Sequence, residues 1–237
     1  MRFARLAGFS GIGFVLLLLG GNLVLLSAGF PNPSDAVGFD EIATVHAGES
    51  NALRLTSALL PTAWLLATIF AAGVFAALWR HDRARSEGWA VVGLAGILMQ
   101  CVAFAGVGAT RLAVATAATD DPGAVAGLGT VAGLWGLHNA LFGFNQIFLA
   151  AALLGLSVSG RRAGLVDRWH AGVGLAGAAL LFLAATTSPY GADGVNPLAL
   201  FGLVGWLLWL LWIVAYSVRL LRETDEFVPS ATTPGAT

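Results

Sequence analysis

The sequence predicts an all-α fold, a polytopic transmembrane bundle of six helices with its N and C termini cytoplasmic. Three observations predict it. The 237 residues are 57% hydrophobic and only 11% charged, with a mean hydropathy of +0.81. Six apolar runs are each long enough to cross a bilayer, and the arginines gather on one side of them. A soluble domain would carry roughly a quarter charged residues, so lipid is the expected solvent for most of this surface.

The runs cover residues 7–28, 56–79, 89–109, 130–156, 171–187 and 197–218. Each can cross a hydrocarbon core of about 30 Å at about 1.5 Å per helical residue. The first follows a basic start, Arg2 and Arg5, and precedes small residues at 27–29. It is longer than a signal-peptide core, so an uncleaved helix is expected. Pro31, Asn32 and Pro33 open a long connection, and residues 80–87 form a short charged turn. Asp120, Asp121 and Pro122 break the third connection, residues 161–170 form a second basic turn, and residues 189–196 a polar one. Residues 1–222 thus form one transmembrane domain, and the polar segment 223–237 is expected to be a disordered cytoplasmic tail.

With six spans, Arg2, Arg5, Arg80, Arg83, Arg85, Arg161, Arg162, Arg168, Arg219 and Arg222 fall on one side. The positive-inside rule makes that side cytoplasmic and the protein a multi-pass component of the plasma (inner) membrane. Asp35, Asp40, Glu41, Glu49, Asp120, Asp121 and Asp193 fall on the other side. All cations are arginine, a bias that fits a high-GC coding composition. A net charge of −1 exerts no pull on nucleic acid. The expected partners are the bilayer and a second copy or another membrane protein. Cys101 is the single cysteine, which rules out an internal disulfide and C-x-x-C chemistry.

Lipid does not press helices together, so small residues should mark close contacts. Gly129 with Gly133, Gly172 with Ala176, Gly174 with Ala178, and Gly8, Gly11, Gly13, Gly20 and Gly21 have suitable spacings, although a glycine-rich composition produces such pairs by chance. Pro61 falls one turn into the second run, where a missing N–H costs little. Trp206, Trp209 and Trp212 lie mid-span and are expected to fill space in the bundle or face lipid.

The fourth run is the least lipid-like. His138 and Asn145 are seven residues apart, as are Asn139 and Gln146, with Trp135 and Phe142 between the two rows. One helix face therefore carries an imidazole and three amides. Such groups should point into the bundle. Gln100, on the third run, is expected near the depth of His138, and Arg111 lies three turns further on nearly the same face. These six residues are the candidates for a ligand-binding site or a polar core, two readings that both remain open here.

Other chemistry finds less support. A bis-histidine haem needs two imidazoles at one depth; His81 and His170 sit in charged turns, and His138 lacks an intramembrane histidine partner. His46 and Glu49, with Asp40 and Glu41 nearby, read as a solvated loop rather than a metal site. No nucleophile elbow, zincin helix or phosphate loop occurs. Every acidic residue maps to a loop or tail, against a carboxylate relay. No cofactor or metal is expected.

The approach through residues 49–51 to the second run, Gly143 with Asn145, the turn at 161–169 and the ending at 209–222 together resemble uncharacterised bacterial six-helix membrane families known as domains of unknown function. The resemblance covers most of the chain. It implies a small bacterial inner-membrane protein and brings no activity. Three readings follow: non-enzymatic binding of a lipid-like molecule or membrane partner, a small transporter or channel using the polar stripe, or a membrane-bound enzyme or redox subunit.

Overall fold

A computed structural model describes residues 3–32, 35, 37–48, 50–120, 125–191 and 199–226. Pro33, Glu49, Asp121, Pro122 and Asp193, and the tail beyond Glu226, lie outside these residues. The described residues form seven α-helices and one short 3-10 turn: α1 (Phe3–Ser27), α2 (Phe39–Gly48), α3 (Ser50–Ala84), α4 (Trp89–Asp120), α5 (Val125–Arg162), α6 (Arg168–Thr187) and α7 (Ala199–Glu226). All but α2 contain segments long and apolar enough to cross a membrane.

The six long helices form a closed ring in chain order, each packed on its neighbours, with α7 returning to α1. Contacts across the ring are sparse. Even-numbered crossing brings the two ends together: Gly8 of α1 packs on Ser217 and Leu221 of α7. Large apolar side chains such as Leu16, Val102 and Phe144 cover the outside of the ring, as a lipid-facing surface requires.

The ring has two unequal cores. The larger fills the half nearer the arginine-rich turns, hereafter the arginine end. Phe14, Phe70, Trp209, Trp212 and Tyr216 plug the ring there. Trp209 meets Phe14 edge-on at 5.6 Å, and Trp212 lies 4.8 Å from Tyr216. The indole of Trp212 donates to Ser157 Oγ at 3.0 Å. Trp209 and Trp212 are thus interior fillers rather than lipid-facing groups. The smaller core lies at the opposite, distal end, where Ile42 of α2 packs on Val114, Ala118, Val131 and Trp135.

The tightest pair is α4 with α5, and glycine permits it. A methyl at Gly96 would sit 2.8 Å from Phe148 O, and one at Gly155 would sit 2.6 Å from Trp89 O. Among the described residues the expected pair Gly129 and Gly133 has nothing within 4 Å of either position, and the same holds for Gly20, Gly21 and Gly172. Spacing alone did not separate these from Gly93, Gly96 and Gly155, because small residues at both kinds of site share the same period. Gly174 does pack closely, against Ser157 and Trp212.

Several helices run further than their apolar stretches. α3 begins at Ser50, so Pro61 lies three turns inside the helix rather than one. α7 continues to Glu226, past the expected start of the tail. The long first connection contains α2, whose Phe39, Ile42 and His46 recur at helical spacing. One carboxylate also departs from its expected loop. Asp82 lies in the last turn of α3 and is fully buried. It accepts from Ala90 N at the start of α4 and from Ser159 Oγ of α5, both at 2.6 Å. An anion is favoured at a helix N-terminus, where amides have no intrahelical partner. Asp82 therefore ties three helices at the arginine end, and ion pairs Arg162–Glu87 and Arg219–Asp167 flank it.

Two outcomes are expected. Gly96→Val should cost about 2 kcal/mol or more in denaturant-detected unfolding, while Gly129→Ala and Gly133→Ala should change little. Asp82→Ala should cost about 2–3 kcal/mol, since it orphans a buried hydroxyl and a helix-start amide; an unchanged unfolding midpoint would show that the tie is idle.

Candidate functional site

A depth scale follows from the Asp82 tie, which puts Ala90 and Ser159 at one level. About twenty helical residues then span about 30 Å of hydrocarbon. Counting along α4 and α5 from that level brings Thr110, Arg111, His138 and Asn139 to the distal boundary. Gln100, Asn145 and Gln146 lie deeper. The expected match of Gln100 with His138 is thus displaced by about three turns, because the close contact at Gly96 pairs α4 and α5 in a different register.

His138 is fully buried. Its Nδ1 faces Val107 O at 3.2 Å and Thr110 Oγ1 at 3.4 Å. A carbonyl only accepts, so Nδ1 carries the proton and Nε2 has a free lone pair. That Nε2 is buried and has no hydrogen-bond partner among the described residues. Trp135, one turn earlier, stacks on the imidazole at 4.8 Å and 10°.

His46 joins this group from α2. The expected solvated loop is a helix, and His46 is 1% exposed while Asp40 and Glu41 are exposed. Its Nδ1 donates to Ile42 O at 2.7 Å, again leaving a buried Nε2 without a partner among the described residues. The ring meets Trp135 edge-on at 6.0 Å and Phe30 at 4.9 Å. His138 therefore does have an imidazole near it, with Trp135 between the two. The helical recurrence of Phe39, Ile42 and His46 was the available sequence signal for this placement.

Arg111 lies on the inward side of α4, half-buried, and its charge acts on both imidazoles. Among the described residues no carboxylate pairs with it. No three histidine, cysteine or carboxylate side chains converge as metal ligands among them, and a guanidinium beside two imidazoles repels a cation.

The deeper amides form a second group. Asn145 is buried and Gln146 half-buried, with Gln146 lying on Gly202 of α7. Asn139 Oδ1, Asn145 Oδ1 and Gln146 Oε1 are all buried without partners among the described residues. Single orphans occur in the aromatic core, at His170 Nδ1, Trp209 Nε1 and Ser217 Oγ. On α5 four such atoms follow one another along one face. Gln100 Oε1 has only a 3.7 Å contact from Cys101 Sγ. His170, expected in a charged turn, is buried in α6 and donates from Nε2 to Trp212 O at 3.1 Å.

An apolar groove of about 490 Å³ opens between α4 and α5 at Met99, Val102, Leu141, Phe144 and Phe148. It faces away from Gln100 and Arg111, by about half a turn of α4. The polar stripe does not line it. Comparison with protein-family models, curated proteins and solved structures finds no match.

Burial holds the His46 imidazole below its usual pKa; the bond to Ile42 O opposes this, and the Arg111 charge adds to it. The docked state thus favours neutral His46. Its contribution to stability is present above the ordinary value near 6.5 and is lost as pH falls through the lowered folded value. Amide exchange over residues 39–48, corrected for intrinsic rate, should accelerate between pH 7 and pH 5, and His46→Phe should remove that dependence. Equal protection at both pH values would refute it.

Proposed function

We propose that this is a non-enzymatic integral membrane protein of a bacterial plasma (inner) membrane, with both termini cytoplasmic. It holds the polar part of a lipid-like, amphipathic molecule against α5 in the extracytoplasmic half of its ring. The observation that carries the reading is the row of unspent acceptors at His138, Asn139, Asn145 and Gln146. A stripe that only locked helices together would spend its hydrogen bonds on neighbouring helices. Among the described residues only the Nδ1 side of His138 does so.

Leaving a buried acceptor unsatisfied costs about 1–3 kcal/mol. A ligand supplying donors at this face recovers that cost, which is a reason for the amides to be there. The packed aromatic plug at the arginine end favours binding over passage, since a path through the ring would have to cross Phe70, Trp209, Trp212 and Tyr216.

The test uses the sign of a stability change. Asn145→Leu keeps the branched heavy-atom shape of the side chain and removes the orphan. In delipidated protein it should leave stability unchanged or raise it by about 1 kcal/mol, and native mass spectrometry should find less co-purified lipid. Loss of stability with lipid retained would mean that the amide is a structural tie and would sink this reading.

A further inference from the structure

We propose that Arg111, His46 and His138 form a binding site for a hydroxyl-bearing oxyanion, at headgroup depth on the distal side of the ring. The shared chemistry is a phosphate that also carries a hydrogen-bond donor. Inorganic hydrogen phosphate supplies it as P–O–H, and a phosphodiester lipid with a glycerol headgroup supplies it as C–O–H. The proposal deepens the lipid-binding reading by naming the chemistry of one end of the ligand.

Charge comes first. Arg111 stands at the distal boundary of the hydrocarbon with no carboxylate partner among the described residues. Among the described residues, the titratable groups its charge reaches are His46 from α2 and His138 from α5. Asp40 and Glu41 of α2 are exposed and do not join the group. A half-buried guanidinium with no acid beside it among the described residues calls for an anion, and its planar fork matches two oxygens of a phosphate.

The histidines then set the second requirement. Each spends Nδ1–H on a backbone carbonyl, at Ile42 and at Val107, so each offers Nε2 as an acceptor. Both acceptors are buried and unpartnered among the described residues. An anion made only of bare oxygens would face two lone pairs. An anion that carries a hydroxyl directs its charge to Arg111 and its O–H to Nε2. Two buried imidazoles, on different elements and both aligned by Trp135, make this a constructed site rather than a snorkelling arginine.

The experiment uses the full chain in phosphatidylcholine nanodiscs. One arm titrates inorganic phosphate, and a second replaces part of the lipid with phosphatidylglycerol. A third uses phosphatidylmethanol, which has the same charge and no headgroup hydroxyl. Thermal stability and native mass spectrometry are read in each. Saturable binding is expected in the first arm if the source is free phosphate, and a preference for phosphatidylglycerol over phosphatidylmethanol if it is lipid.

Arg111→Gln should weaken that binding about tenfold or more, with Arg111→Lys, a charge-retaining control for folding, intermediate. His46→Phe and His138→Phe should retain anion binding but lose the preference for the hydroxyl. Binding equal in Arg111→Gln and the native chain, or no saturable response in any arm, overturns the proposal. If Arg111→Gln leaves binding unchanged while Asn145→Leu abolishes lipid retention, the anion site falls and lipid binding at the amides stands. The reverse pattern removes the amide reading and keeps the anion site.

Discussion

The close approach of α4 and α5 is the contact on which the rest of the structure depends. Gly93, Gly96 and Gly155 bring two backbones together where any side chain would hold them apart. That contact sets the register of the two longest neighbouring spans. The register in turn carries Val107 and Thr110 to His138, and leaves Gln100 opposite the deeper amides. A shift of one turn along α4 would move these groups by about 5.4 Å, beyond hydrogen-bond reach. The polar face of α5 is therefore positioned by glycines that carry no polarity themselves.

The two ends of the ring differ in where their unsatisfied polar atoms fall. At the arginine end Asp82 is satisfied by a backbone amide and a hydroxyl, and Trp212 and Tyr216 find partners, while His170 Nδ1, Trp209 Nε1 and Ser217 Oγ are scattered orphans among the described residues. At the distal end the imidazoles satisfy one nitrogen each and the amides leave their oxygens unspent. Native interiors tolerate few such groups. Their concentration on one face of one helix distinguishes a candidate binding surface from ordinary packing imperfection.

Much of this was legible in the chain. Apolar run length marked all six membrane-crossing helices, since hydrocarbon thickness leaves little freedom. The polar face of α5 was visible because imidazole and amide groups are conspicuous in an apolar run. Long-range register was not, because it depends on which glycines meet another backbone, and Gly129 and Gly96 look alike until a partner is present. Nor was the burial of His46 and Asp82. Asp82 stands among charged neighbours and His46 has only its helical spacing from Ile42 as a mark, and what buries them is the packing of α2 on α4 and α5 and the return of α4 beside α3. Composition records neither event.

The division into two cores also bears on how such a protein can change over generations. Residues that fix the helix pairing lie towards the arginine end, while His46, Trp135 and His138 cluster at α2 and the amides lie deeper on α5. Substitutions beneath that short helix would alter the imidazole cluster with little disturbance to the pairing that holds the bundle. A fold partitioned in this way can vary its polar face while inheriting its scaffold intact.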